Sequence, residues 1–299
     1  MRASVYLAAM CVVLSLTQVQ AIEYELPRSG KRLLGEPVQH TVVKGDYFQA
    51  IAELYDIGFL ALMAANKGID PFLPPIGHKL NIPTQLLLPF VARVGLVINL
   101  PELRMYYFLP NEQRVHVFPV GIGRLGLETP ITTSYIGEKR INPVWRPTEA
   151  LKQRYQQQNG VALADEVPAG ANNPFGKYAM RIGTSEYLIH GTNKRFGIGM
   201  RVSSGCIRMY DDDIKWLFEN VPINTPIKII DQPIKMSYEQ ENLKLIEMHQ
   251  PLSIEHNTRN YIEQNNVLHR FIEGHELDRE MLATEFHAPS GLVKTLAQK

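Results

Sequence analysis

Apolar positions recur along the chain with two different periods, and the period changes twice. In "YFQAIAELYDI", Phe48, Ile51, Ala52 and Tyr55 fall at helical spacing. "GFLALMAANKGI" continues as a second short helix, stopped by Gly68 and Pro71. A short strand ending in a turn, "QHTVVKGD", precedes the pair, and "PPIGHKLNIP" gives a turn and a closing strand. The spacing therefore predicts a small strand–helix–helix–strand unit over residues 39–84, behind a Pro-, Gly- and charge-rich lead-in over 22–38 that reads as flexible.

From residue 92 the period becomes two. "RVGLVINL", "LRMYYFL" and "RVHVFPVGI" alternate apolar and polar between turns, "ITTSYIGEK", "GKYAMRIG" and "EYLIHG" continue the series, and "TPIKIID" closes it. Two helices interrupt. One is "TEALKQRYQQ" at 148–157. The other is "DDDIKWLFENV" at 211–221, with Asp211 as the expected N-cap and Ile214, Leu217, Phe218 and Val221 as a core stripe. Many strands with few helices make the fold class mainly β, a sandwich or barrel-like domain over 92–231 beside the small α+β unit. Beyond Pro233 the chain turns polar. Residues 235–299 read as a helical extension with scattered histidines, no metal-ligand spacing and no chemistry of their own.

Composition adds an address. Arg2 precedes an apolar run from Tyr6 to Leu16, and Val19-Gln20-Ala21 ends in the small residues that signal peptidase reads, so residues 1–21 are expected to be a cleaved export signal. The alternative is an uncleaved N-terminal anchor. Cys11 lacks the small residue expected before a lipidated cysteine. Export would set the protein outside the cytoplasm. The full chain carries a formal charge of +1 and no basic stripe with interleaved aromatics, so nucleic acid is not an expected partner. Removal of the signal leaves Cys206 as the only cysteine. In an oxidising compartment an unpaired thiol is inert and buried, an intermolecular partner, or reactive.

The neighbourhood of Cys206 favours reactivity. "EYLIHG" runs a strand into His190 and turns at Gly191; sixteen positions after the histidine, "RVSSGC" returns the chain to Cys206. An imidazole can take the thiol proton, and backbone N–H groups around Gly205 and Cys206 can hold the oxygen of a tetrahedral intermediate. The second imidazole nitrogen has the Gly191 carbonyl close in sequence. Arg208 suits a substrate carboxylate. By pattern alone, a buried small thiol and a satisfied core histidine stay open as the alternative. The glycines of "GIGRLG" lack the Lys-Ser/Thr and following helix of a phosphate loop, so no nucleotide is expected. No cofactor or metal is called for.

"IHGTN" followed by "RVSSGCIRM" resembles the signature of the L,D-transpeptidase (YkuD-type) catalytic domain. "PVGIGRLGLETP", "NPVWRPT" and "PAGANNPFGKYAMRI" match as well. The unit at 39–84 resembles a LysM module, which binds the sugar backbone of peptidoglycan, through Val42, Gly45, Asp46, Ile51-Ala52, Asn66 and Gly77–Pro83. Tyr47-Phe48 stands where such modules often have Thr-Leu, and Ser204 stands where many transpeptidases have histidine.

The resemblance implies Cys206 as nucleophile and His190 as its proton acceptor. It implies Gly205, Gly191 and Ser203 as oxyanion and orienting residues, with Arg208, Ser204 and Asn173 contacting substrate. It also implies a peptidoglycan tetrapeptide stem as donor, D-alanine as leaving group and a thioester intermediate. The acceptor is then an outer-membrane lipoprotein lysine, a diaminopimelate amine in a 3–3 cross-link, or water in a hydrolytic carboxypeptidase or a release reaction. Residues 148–182 are expected to form a lid that keeps water from the thioester. A non-catalytic wall-binding protein is the reading from a different class.

Overall fold

The computed structural model describes residues 21–239, 243–252, 270–272 and 279–296. The expected export signal lies, but for Ala21, outside the described residues.

The lead-in is structured. β1 (Ile22–Glu25) pairs antiparallel along an edge of the main sheet, and β2 (Leu33–Leu34) pairs with a later strand, β5 (Leu86–Leu87). Four alternating residues, Ile-Glu-Tyr-Glu, are enough because Tyr24 is buried and its hydroxyl donates to Thr84 O at 2.7 Å. Composition hid a strand this short.

The small unit has the expected order: β3 (Val38–Thr41), α1 (Phe48–Leu54), α2 (Phe59–Ala65) and β4 (Lys79–Ile82), with β3 antiparallel to β4. Phe48, Ile51, Ala52, Leu62 and Leu80 form its core. Its marker residues have structural reasons. Asp46 accepts the Val43 N–H and bonds His40 Nε2, each at 2.8 Å, which fastens the turn before α1. The Asn66 amide donates to Leu62 O and Asn81 O and accepts from Asn81 N–H, which welds the end of α2 to β4.

The second domain contains β6 (Gly95–Asn99), β7 (Arg104–Phe108), β8 (Arg114–Pro119), β9 (Ile122–Gly123), β10 (Thr132–Ile141), α3 (Glu149–Asn159), β11 (Tyr178–Ile182), β12 (Leu188–His190), β13 (Arg201–Ser203), β14 (Ile207–Arg208), α4 (Asp211–Asn220) and β15 (Pro226–Ile230). A nine-stranded sheet runs β1-β8-β7-β6-β15-β10-β11-β12-β14. Most neighbours are antiparallel; β6 with β15 and β12 with β14 are parallel. Leu96, Ile98, Met105 and Phe118 from one half of the sheet share a core with Met180, Ile182, Ile189 and Ile207 from the other half. Both halves thus turn one face to the same core, and the sheet is curled. α4 plugs it with Ile214, Leu217 and Val221, as its periodicity predicts. Its N-cap is Tyr210 rather than Asp211. Asp211 opens the helix and accepts the Thr192 N–H instead.

The expectation of a helical extension is corrected. Among the described residues, β16 (Ile234–Tyr238), β17 (Lys244–Met248) and β18 (Lys294–Leu296) form a three-stranded antiparallel sheet, and a helix, α5 (Arg279–His287), packs against it. Its polarity misled because Lys235, Glu247 and His249 are buried. Lys235 Nζ lies 2.7 Å from Glu102 and 2.9 Å from Glu247, while Arg104 bonds Glu247 at 2.8 Å. Glu102, Glu247 and His249 offer ligand atoms within 4.8 Å of one another. Lys235 and Arg104 supply the positive charge there, so the group is an ion-pair network that joins the domains.

α1 and α2 also dock on the second domain. The Leu60 N–H donates to Gly199 O, Arg195 pairs with Glu53 at 2.5 Å, and Gln49 donates to the Tyr210 hydroxyl. Gly199 has φ +68° and a side chain there would strike the Gly58 backbone, so only glycine allows this approach. Inside the joint Asp56 faces Asp213, both buried, with no ion pair to either among the described residues. Burial pushes Asp56 up to about 7, and burial with the facing carboxyl raises Asp213 well above the carboxylate range. The folded protein holds a proton that the unfolded chain releases above the ordinary carboxylate pKa. This contribution is full below about pH 4 and is lost as pH climbs through about 7. We expect Asp56→Asn to flatten the fall in stability between pH 5 and pH 8 and to stabilise the protein at pH 8 by roughly 2–4 kcal/mol. Denaturant melts of both proteins at the two pH values measure this; parallel slopes would contradict it.

Candidate active site

The alternation of three adjacent strands builds the site. Met180 and Ile182 of β11, Ile189 of β12 and Ile207 of β14 face the core. The intervening residues, Ala179, Arg181, Leu188, His190, Cys206 and Arg208, therefore share the opposite face, and all of them line one cavity of about 760 Å³. Parallel pairing sets Ile189 against Ile207 and His190 against Arg208. Cys206 accordingly sits beside Leu188, one diagonal step from His190. Leu127 and Glu128 form one wall, and Trp145, Leu151 and Arg154 from the β10–β11 connection form the roof.

His190 is 3% exposed, and its Nδ1 lies 2.6 Å from Gly191 O. A carbonyl only accepts, so Nδ1 carries the proton and Nε2 keeps its lone pair. Phe175 packs edge-on against the ring at 4.7 Å. Burial pushes the imidazole down to about 3, and the Arg208 charge adds to this against the Gly191 bond, so the ring is neutral at rest. A side chain at Gly191 would lie 2.5 Å from the Asp211 carboxylate, so one of the two would have to shift.

Cys206 is partly exposed. Burial raises its thiol, while the Leu188 N–H and the Arg208 charge pull the other way. The loop before it is tied from both sides. Ser203 Oγ donates to Cys206 O at 2.6 Å and accepts the Gly205 N–H at 3.1 Å. Thr129 Oγ1 donates to Gly205 O at 2.8 Å and accepts the Gly123 N–H. Gly205 has φ +105°, and an added Cβ would lie 2.7 Å from the Tyr187 ring.

Two expectations are corrected. The Gly205 N–H is consumed by Ser203, so it is not free for an oxyanion; among the described residues the Cys206 N–H donates to no acceptor. Asn173 is fully buried and does not line the cavity. Its amide bonds Pro143 O, Val167 O, Pro168 O and the Phe175 N–H, so it braces the roof segment instead of touching a ligand. Ser204 is exposed and lines the cavity, and Arg208 Nε is buried without a partner. Thr129 escaped sequence reading because "ETP" carries only a turn signal.

The chain matches the L,D-transpeptidase catalytic domain (YkuD) over residues 93–229, the L,D-transpeptidase C-terminal domain over 233–293 and the LysM domain over 40–83. It is 44% identical to the probable L,D-transpeptidase YcfS of Escherichia coli K12 over 292 residues, which covers 95% of this chain and 91% of that protein. The chain belongs to the L,D-transpeptidase family. A second similar transpeptidase is the probable ErfK/SrfK of Salmonella typhimurium, 41% identical over 91% of this chain and 90% of that one. The putative L,D-transpeptidase YkuD of Bacillus subtilis is 27% identical over 64% of this chain and 97% of its own. Among solved structures, an L,D-transpeptidase from Mycobacterium smegmatis aligns with a TM-score of 0.36 at 18% identity, over 52% of this chain and 64% of that one. This L,D-transpeptidase therefore consists of a LysM unit, the curled-sheet catalytic domain and a C-terminal domain that is β-rich in its described part.

Proposed function

We propose that this L,D-transpeptidase works in the periplasm on peptidoglycan tetrapeptide stems, with Cys206 as nucleophile and His190 as general base. The observation that carries the reading is the shared face of β12 and β14, with His190 held in the tautomer whose Nε2 accepts a proton. As Sγ attacks the carbonyl of the L-centre of diaminopimelate, Nε2 takes the thiol proton. The Cys206 N–H donates to the developing oxyanion. Collapse breaks the amide bond, His190 returns its proton to the leaving D-alanine amine, and a thioester remains. Arg208, adjacent to both groups and short of a partner, suits the D-alanine carboxylate, and the exposed Ser204 stands at the same edge.

An acceptor amine then attacks the thioester and gives a proton to His190; collapse breaks the C–S bond, the stem leaves in a new amide, and the Cys206 sulfur takes the proton back from His190. We assign that amine to a lipoprotein lysine or to diaminopimelate on a second stem; an incoming ammonium suits the cavity wall at Glu186, whose charge reaches Cys206. The LysM loops support glycan binding, since Val43, Tyr47, Phe72, Leu73 and Ile76 are exposed and apolar there. The roof over the cavity suits exclusion of water from the thioester. Offering purified tetrapeptide stem with a lysine-bearing peptide and a second stem in competition tests the reading. We expect D-alanine release and one amide-linked product exceeding the hydrolysed tripeptide. Hydrolysis alone would make it a carboxypeptidase, and binding without D-alanine release a wall-binding protein.

A further inference from the structure

Five arginines line the cavity: Arg140, Arg146, Arg154, Arg181 and Arg208. Three are committed to this chain. Arg140 grips Glu138 through Nε and Nη2, both at 2.6 Å; Arg146 pairs with Glu166 at 2.9 Å; and Arg181 donates to Ser185 O at 2.6 Å and lies 3.9 Å from Glu138. Arg208 stands by the sulfur on the floor. Arg154 hangs from the roof on α3, and among the described residues it makes no hydrogen bond and no ion pair, although it is half-buried. Its neighbour Lys152 is already held by Glu149 and Asp165.

α3 itself is unusual for a helix over a cavity. None of its residues is buried. Its own ties are the Thr148 cap on the Leu151 N–H and the Lys152 pairs. Ala150, Leu151 and Arg154, one turn apart, are the face it turns to the cavity. No core contact presses that face down. Its one cation waits for an anion.

We infer that Arg154 is a specificity-determining residue that takes a second, remote carboxylate of the donor stem and draws α3 over it. The inference rests on the transpeptidase reading. A tetrapeptide stem offers the D-alanine carboxylate at the scissile bond, within reach of Arg208. It offers further carboxylates at the D-centre of diaminopimelate and on D-glutamate. Two cations that line one cavity from different elements, Arg208 on β14 two residues from Cys206 and Arg154 on α3, fit a ligand with anions at two separated points. A guanidinium fork suits a planar carboxylate better than an ammonium does.

The test uses the full chain and the acylation half-reaction, read as D-alanine release. Three donors are compared: the free stem, the stem amidated at the diaminopimelate D-centre, and the stem amidated at D-glutamate. Arg154→Ala is expected to raise KM for the free stem on the order of 10-fold to 100-fold, with kcat within about twofold. It should act equally with wild type on the stem whose recognised carboxylate is amidated, and that arm names the carboxylate. Arg154→Lys should recover part of the KM. Equal penalties on all three donors, or none on any, would overturn the assignment. Calorimetry of the free stem on Cys206→Ala, with and without Arg154→Ala, separates the two levels. Binding that depends on Arg154 without acylation of the wild type would overturn the chemistry and keep the arginine; binding indifferent to Arg154 would overturn the arginine alone.

Discussion

Cys206→Ala is expected to lose acylation altogether, and His190→Asn to slow it by a factor of about 10³–10⁴ while leaving the fold intact. Asparagine can still donate to Gly191 O, so the variant removes the base and keeps the anchor. The size of the effect follows from the resting state. The imidazole is held down to about 3, chiefly by burial, and burial also raises the thiol, so the site rests as a neutral pair and not as a preformed thiolate. On the proposed mechanism, proton transfer then accompanies attack. Two consequences bear on pH. The wild-type acylation rate should stay level down to about pH 4, well below where an ordinary histidine protonates, because Nε2 remains unprotonated there. The His190→Asn rate should climb tenfold per pH unit at alkaline pH, where hydroxide supplies the thiolate. D-alanine release against pH reads both. An acidic limb near pH 6.5, or a His190→Asn rate flat with pH, would contradict a neutral resting pair.

Lys235→Met is expected to destabilise the protein by about 3–5 kcal/mol. Lys235 is wholly buried between Glu102 and Glu247 and also donates to Leu87 O. Burial alone would raise Glu247, yet Lys235, then His249 and Arg104, hold it well below the usual carboxylate range. Removing the lysine leaves two buried carboxylates with Arg104 and His249 as the cationic groups beside them. The damage should spread across the molecule. Glu247 also accepts the Leu87 N–H and Arg104 reaches Pro83 O, so one cluster clasps β5, β7, β16 and β17. Adding Glu247→Gln to Lys235→Met should restore part of the loss, since it removes one stranded charge. Urea unfolding of the single and double variants measures both. A single-variant loss under about 1 kcal/mol would show that water reaches the cluster.

The sequence makes the parts with a period legible. The stripe of α4 and the strand–helix–helix–strand unit follow from apolar spacing; that His190 and Cys206 line one cavity is expected from the motif they share with a known family and not from any period. The missed parts have no period to read. The last domain looks polar because its strands and their ends carry Lys235, Glu247 and His249, whose burial depends on Glu102 and Arg104 from a distant stretch of chain. Asn173 looks like a ligand contact because an amide in a Pro/Gly loop fits either role; only three carbonyls converging on it decide. The Gly205 N–H looks free in the sequence because nothing there reports that a serine hydroxyl, placed by the fold, accepts it. Arg154 carries no motif; what marks it is the pairing of its neighbours.

The most direct measurement mixes the protein with tetrapeptide stem, quenches in acid and maps the mass gain by peptide sequencing. The account predicts an adduct equal to the stem less D-alanine, carried on Cys206, released by hydroxylamine and absent from Cys206→Ala. An adduct on any other residue, or turnover of stems that persists in Cys206→Ala, would contradict it.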